Sequence, residues 1–206
     1  MTEERQPVVC IVDDDESVRT SIARLLQTVG LPSRSFATVS DFQRWAVPGF
    51  LGCLILDIRM PGLSGLDLQL DLAEAGEQIP VIFVTGYADV PLAVRAMKAG
   101  AQEVLTKPYD QQLLLDAVHR ALQTATARHG EREQLIRLRA AFETLTPRER
   151  EVLVLVASGL VNRHIAARLG TSEKTIKVHR ANVMRKMGAD SVAALVRMVD
   201  RLAIAN

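Results

Sequence analysis

The chain has 206 residues, 48% of them hydrophobic and 24% charged, with a formal net charge of +1. That length suits one or two domains at roughly 100–200 residues each, and no apolar run approaches the ~20 residues that a membrane span needs. The polar, acidic start Met1-Thr2-Glu3-Glu4-Arg5-Gln6-Pro7 does not read as a secretory signal, and the two cysteines, Cys10 and Cys53, read as reduced core thiols of a cytoplasmic protein.

The small net charge hides two opposite halves. Residues 1–124 carry 16 acidic and 10 basic side chains, a net of −6; residues 125–206 carry 8 and 15, a net of +7. Opposite signs predict two domains, the basic one with a polyanionic partner. A solvated basic surface without a partner is the plain alternative.

In chain order, Val8 to Val12 reads as a strand ending in Asp13-Asp14-Asp15-Glu16. A helix follows, with Val18, Ile22, Leu25, Leu26 and Val29 at helical spacing, stopped by Gly30 and Pro32. Ser33 to Ala37 is a weak strand and Ser40 to Trp45 a short helix. Cys53-Leu54-Ile55-Leu56 is a buried parallel strand ending in Asp57, with a Met60-Pro61-Gly62 turn beyond it. Ser64 caps a helix whose apolar face is expected to be Leu66, Leu70 and Ala73. Ile79 to Val84 is a strand ending at Thr85-Gly86, and a helix runs from Pro91 to Gly100. Val104 to Thr106 is the last strand, closed by Lys107-Pro108. The next helix carries Leu113, Leu114, Ala117, Val118, Ala121 and Leu122.

Strands alternating with helices predict an α/β doubly wound parallel sheet. Asp13, Asp14, Asp57, Thr85 and Lys107 then collect at the carboxyl ends of separate strands, where such sheets bind ligands. Three close carboxylates favour a hard cation such as Mg²⁺ (or Mn²⁺). A cation, a lysine and a threonine hydroxyl suit phosphoryl transfer, and a carboxylate is able to act as the covalent acceptor. Asp57 is the natural nucleophile. Asp15 and Glu16 are better read as favouring the positive end of the following helix.

These residues carry a resemblance. Val12-Asp13-Asp14, Leu56-Asp57-Ile58-Arg59-Met60-Pro61-Gly62, Thr85-Gly86 and Lys107-Pro108 together resemble a bacterial two-component receiver domain over about 125 residues. Thr85-Gly86-Tyr87-Ala88-Asp89-Val90-Pro91 and Met97-Lys98-Ala99-Gly100-Ala101 resemble the FixJ branch in particular. The resemblance implies a flavodoxin-like (CheY-like) fold with strand order 2-1-3-4-5. It implies Asp57 as phosphoacceptor, Asp13, Asp14, Asp57 and the Arg59 carbonyl around the metal, Thr85 and Lys107 on the phosphoryl oxygens, and a cis Lys107-Pro108 bond. One departure is Val104, where receivers usually carry Phe or Tyr; Tyr109 is a poor substitute.

Gln111 to about Ala140 reads as one long helix, broken or frayed near His129-Gly130, and residues 125–141 as a helical linker. Beyond it, Thr146-Pro147-Arg148-Glu149 is a capping box with proline at the first helical position. That helix continues to Ser158 with Val152, Leu153, Leu155 and Val156 inward. Asn162 to Leu169 is a short helix, Gly170 a turn, and Ser172 caps a third helix ending at Gly188. A fourth starts near Ser191, with Val192, Leu195, Val196, Val199 and Leu202 as its stripe. Helix, glycine turn and basic helix make an all-α helix-turn-helix pattern. At 100° per residue, Ile176, Val183 and Met187 share one side of the third helix; Lys174, Val178, Ala181 and Arg185 lie opposite, with Lys177 and Asn182 on the shoulders. Such a face suits a major groove; a solvated basic face is the bland alternative.

This second half, from about Leu145 to Leu202, is similar to LuxR/NarL/FixJ-type DNA-binding domains. The likeness rests on Leu145 to Leu153, Gly159-Leu160-Val161-Asn162, Ile165-Ala166 and Thr175-Ile176-Lys177-Val178-His179. It implies that Lys177, Val178 and Ala181 face bases of double-stranded DNA, that Thr175 touches phosphate, and that the fourth helix dimerises. The family commonly has Lys where Ala181 stands. Arg180 lies towards the core side.

The domains are therefore expected at residues 1–124, 125–141 and 142–206. The expected function is that of a cytoplasmic response regulator, not an enzyme. A sensor histidine kinase would phosphorylate Asp57, giving a homodimer that binds DNA, engages RNA polymerase and activates transcription. Two rival readings remain. One is a Mg²⁺-dependent phosphatase, which would need an acid where Arg59 stands. The other is a constitutive DNA-binding regulator with a non-switching receiver.

Overall fold

Strands and helices alternate along the first half: β1 (Val8–Val12), α1 (Glu16–Thr28), β2 (Ser33–Phe36), α2 (Val39–Trp45), β3 (Gly52–Leu56), α3 (Gly65–Glu74), β4 (Val81–Thr85), α4 (Val90–Lys98) and β5 (Glu103–Thr106). Helices alone follow: α5 (Gln111–Glu143), α6 (Pro147–Ala157), α7 (Asn162–Leu169), α8 (Glu173–Met187) and α9 (Val192–Leu202). This computed structural model describes residues 6–47, 49–86 and 90–202. The polar residues 1–5 and residues 87–89 of the motif after Thr85 lie outside that description. Two compact units divide the chain, residues 1–130 and 131–206.

The first unit is a five-stranded parallel sheet in the order β2-β1-β3-β4-β5, as expected for a receiver. Side chains alternate across a strand, and both faces of this sheet are covered. Val9, Ile11, Cys53, Ile55, Ile82 and Val84 pack with Ile22 and Leu26 of α1 and Leu114 and Val118 of α5. Cys10, Val12, Leu54, Leu56 and Phe83 pack on the other face with Phe42, Leu66, Leu68 and Ala96. Cys10 and Cys53 thus sit on opposite faces, and burial pushes both thiols up to about 12, which leaves them unreactive.

Three local expectations need correction. In α3, Leu66 is buried but Leu70 and Ala73 are exposed, while Leu68 and Gln69 face inward. The cause is Gly65, whose missing Cβ would lie 2.3 Å from the Asp57 carbonyl oxygen. That close approach sets the helix so that Gly65, Leu66, Leu68 and Gln69 are buried with Leu72 half-buried beside them, while Leu70 and Ala73 turn outward. In α5, Leu113 is 57% exposed and Leu115 takes a buried place instead. Finally, α5 runs unbroken through Gly130. A mid-helix glycine costs about 1 kcal/mol. Burial of Leu114 to Leu122 on one side and Leu138 on the other outweighs that cost.

The second unit is built by its caps. Thr146 and Glu149 form a reciprocal capping box with Pro147 at the start of α6. Gly170 and Gly188, both left-handed, close α7 and α8. Val152, Leu153, Ile165, Ile176, Val183, Leu195 and Val199 make the core. Leu195 and Val199 are fully buried in their own domain, so any contact made by α9 with another molecule has to use its other positions.

Glu149 is the buried charge of this unit, 3% exposed. Its Oε2 accepts from Lys186 Nζ at 2.6 Å and from the Thr146 N–H at 2.9 Å. These bonds pull its carboxyl from the ordinary 4.5 down to about 2. A depressed carboxyl stabilises the fold above its unfolded value and loses that contribution as pH falls through the folded one. The second unit is therefore expected to lose thermal stability between about pH 4.5 and about 2 in calorimetry. Glu149→Gln is expected to melt lower at neutral pH and to show a flatter acid dependence across that window.

Candidate functional site

Five side chains singled out from the sequence sit at or just beyond the carboxyl ends of four strands. Asp13 and Asp14 follow β1, Asp57 follows β3, Thr85 ends β4 and Lys107 follows β5. Carboxylate oxygens of Asp13, Asp14 and Asp57 lie within 4.8 Å of one another, with Asp14 exposed and the other two buried. Lys107 Nζ donates to Asp13 Oδ2 at 2.6 Å and to Asp57 Oδ2 at 2.8 Å. The other Asp57 oxygen accepts from the Arg59 N–H at 3.0 Å, and the other Asp13 oxygen from the Asp15 N–H at 2.9 Å. Thr85 is fully buried beside them, and its carbonyl accepts from the Lys107 N–H at 2.8 Å. The Lys107-Pro108 bond is cis.

Three carboxylates against one ammonium leave two formal negative charges in a half-buried pocket. Burial raises the Asp13 carboxyl pKa; the Lys107 ammonium and the Asp15 N–H oppose the rise without cancelling it. Burial also works against the Lys107 charge, but its bonds to Asp13 and Asp57 outweigh that and raise its pKa. The lysine is thus held charged by the acids it bridges. All the donors are oxygens, the set that a hard divalent cation takes.

The backbone of the pocket is braced by contacts that spacing alone did not reveal. Arg19 donates to the carbonyls of Asp13 and Asp14 at 2.7 and 2.9 Å. Asp15 is the α1 cap, accepting from the Ser17 N–H at 2.8 Å. This agrees with its structural reading, and bonds from Ser17 keep its carboxyl below the usual range. Val104 packs on the α4 side of the sheet, whereas Tyr109 packs on the α1 and α5 side. Tyr109 therefore does not occupy the place of the missing aromatic.

In the second unit, α7, the Gly170 turn and α8 form a helix-turn-helix. Ser172 caps α8, accepting from the Thr175 N–H at 3.1 Å. Ile176, Val183 and Met187 are buried. Lys174, Thr175, Lys177, Val178, Ala181 and Arg185 are exposed, and Asn182 is half-buried. Val178, an apolar side chain 56% exposed, sits at the centre of this face. Arg180 points away from it and donates to Asn162 Oδ1 at 3.1 Å, steadying α7 against α8.

An acidic, lysine-bridged pocket on a 2-1-3-4-5 sheet, followed by a helix-turn-helix, defines a signal-receiving domain coupled to a DNA-binding domain. Comparison with known proteins agrees. Residues 9–119 match the response regulator receiver domain, and residues 143–199 match the bacterial regulatory proteins of the luxR family. The chain belongs to the two-component response regulators that carry a LuxR-type DNA-binding domain; these are transcription regulators, not enzymes. It is 45% identical to nodulation protein W of Bradyrhizobium diazoefficiens, over 96% of this chain and 87% of that one. It is 42% identical to the transcriptional regulatory protein FixJ of Rhizobium meliloti, over 92% of this chain and 93% of that one. Among solved structures, the response regulator StyR matches with a TM-score of 0.87 at 45% identity, over 95% of this chain and 99% of that one. Full-length FixJ from B. japonicum matches with a TM-score of 0.56 at 37% identity, over 98% and 99%. Among the described residues no helix is long and apolar enough to cross a membrane.

The Gly65 contact lets α3 start directly against Asp57. Gly65→Ala forces a methyl group into that carbonyl and is expected to destabilise the receiver by about 1–3 kcal/mol. Urea unfolding followed by the fluorescence of Trp45, which lies in the receiver, would register it as an earlier transition.

Proposed function

We propose that Asp57 accepts a phosphoryl group from the phosphohistidine of a sensor kinase, and that the resulting acyl phosphate promotes dimerisation and DNA binding. The observation carrying this reading is the pair of bonds from Lys107 to Asp13 and Asp57 beside the oxygen-only cluster. An Asp57 oxygen attacks phosphorus, the P–N bond breaks, and the imidazole leaves with its electron pair. Asp13, Asp14, Asp57 and the Arg59 carbonyl would hold Mg²⁺ (or Mn²⁺), which when bound offsets the charge between the carboxylate and the incoming phosphoryl oxygens. Lys107 neutralises a phosphoryl oxygen, and the Thr85 hydroxyl takes another. In this reading the receiver spans residues 1–124, the linker 125–141 and the DNA-binding domain 142–206.

The dimer surface of this reading is α4 and the strand after it. Val90, Val94 and Met97 on α4 are 77%, 44% and 48% exposed, an apolar face larger than single scattered residues make. A symmetric pair would bind two half-sites and set their spacing. On DNA, Lys177, Val178 and Ala181 read bases, Lys174, Asn182 and Arg185 flank them, and Thr175 at the α8 N-terminus meets phosphate. With Ala181 in place of the usual lysine, that position is left to apolar contact, as with a thymine methyl. Bound at a promoter, the dimer engages RNA polymerase as an activator. The cytoplasm is the setting this requires.

A second reading, a constitutive DNA binder with a non-switching receiver, is favoured only by Val104 at the aromatic position. Equal DNA affinity of Asp57→Ala and of the beryllofluoride-bound protein would carry it.

Mass by light scattering is expected to double when beryllofluoride and Mg²⁺ are added, and to stay monomeric for Asp57→Asn and for Val94→Glu. Lys177→Ala is expected to weaken binding to duplex DNA about tenfold, measured by fluorescence anisotropy, without altering phosphorylation by acetyl phosphate.

A further inference from the structure

A groove behind α8 has no part in phosphorylation or DNA reading. It has a volume of about 450 Å³ and is framed by the second half of α5 and by α9. Leu138, Ala141, Met187 and Met198 line its floor. Arg137, Arg197 and Arg201 line it as well, and all three are exposed. Two of them have light local engagements: Arg137 bonds Glu133 at 3.1 Å one helical turn away, and Arg201 donates to Gln134 Oε1 at 3.0 Å. Exposed pairs of this kind contribute little and yield readily to a better partner. Among the described residues Arg197 forms no salt bridge.

We infer that this groove is a docking site for an acidic amphipathic helix of a protein partner, engaged while the regulator is on DNA. An apolar trough between two helices fits the apolar stripe of a third. The sign of the occupant follows from the rim, because three arginines complement carboxylates flanking that stripe. A second copy of this chain is the poorer occupant, since a two-fold contact centred on the groove would set arginines against arginines. DNA is poorer too. Met187 is nine residues from Val178, which at 100° per residue is half a turn away on α8. Met187 is 4% exposed and Val178 is 56% exposed. The groove therefore opens away from the face that reads bases, and a partner held there does not compete with DNA.

The test uses the full chain and a labelled synthetic helix with leucines at i, i+3, i+4 and i+7 flanked by glutamates. A matched helix with lysines in place of the glutamates is the control. Fluorescence anisotropy is expected to show saturable binding of the acidic helix only, in the presence and absence of duplex DNA. Arg197→Glu and Arg201→Glu, both at exposed positions, are each expected to weaken it about tenfold while leaving DNA affinity unchanged. The inference is overturned if the acidic helix does not saturate, if the lysine helix binds equally, or if charge reversal has no effect. It is equally overturned if the two variants lose DNA affinity, which would make the groove a phosphate contact. Loss of a homodimer that the peptide cannot compete away would make it a subunit interface. Because Asp57→Asn should leave peptide binding intact, failure of the phosphorylation reading and failure of this one are told apart.

Discussion

One ammonium group, Lys107 Nζ, reconciles two buried carboxylates at the centre of the receiver. Strand order makes the arrangement possible. β1 and β3 are neighbours, so Asp13 and Asp57 emerge side by side, while β5 lies two strands from β3, about 10 Å across the sheet. A long, flexible stem carrying a point charge suits that reach. Several nearby contacts help to hold these three groups in register. The Asp15 cap turns the chain into α1, Arg19 gathers the carbonyls of Asp13 and Asp14, and Gly65 lets α3 abut the Asp57 backbone. The pocket is left with excess negative charge, which disposes it to bind a cation and to respond when a phosphoryl group changes that balance.

Much of this was legible from residue order. Apolar runs ending in Asp13, Asp57 and Thr85 marked the strands, and parallel sheets bring such ends to one edge. Ser64, Thr146 and Ser172 announced helix starts because a hydroxyl at that position satisfies an otherwise unpaired N–H. The rotation of α3 was not legible. Its sequence offers leucines on several faces, and what decides among them is a tertiary contact, the approach of Gly65 to Asp57. Leu113 departs from its helical spacing for a similar reason: Leu113, Leu114 and Leu115 are consecutive, and only packing against the sheet tells which two go in. The bridge from Lys107 to both acids, and the brace from Arg19, join residues whose spacing carries no periodic signal.

The recognition face shows the opposite balance. A 15-residue helix with three buried apolar positions on one side exposes a definite opposite side, so angular spacing alone located Lys174, Val178, Ala181 and Arg185. What spacing missed is how the helix is anchored. Lys186 binds Glu149 and the Thr144 carbonyl, tying the end of α8 to the start of α6 and to the segment after α5. Arg150 stacks on Phe142 at 4.7 Å and reinforces the same corner. These contacts link residues far apart in the chain and use no motif beyond the capping box itself.

The three hydrophobic clusters share no side chain. Among the described residues, only α5 supplies residues to a core in each unit, Leu114 to Leu122 in one and Leu138 in the other. Each unit therefore has a core of its own to hold it folded. Binding at Asp57 shifts the unfolding equilibrium of the receiver by mass action. A substitution that melts the receiver, or a protease that cuts within it, would leave a folded helix-turn-helix behind. Damage to the sensing half thus leaves the DNA-binding domain with a core of its own, but without the domain through which a signal reaches it.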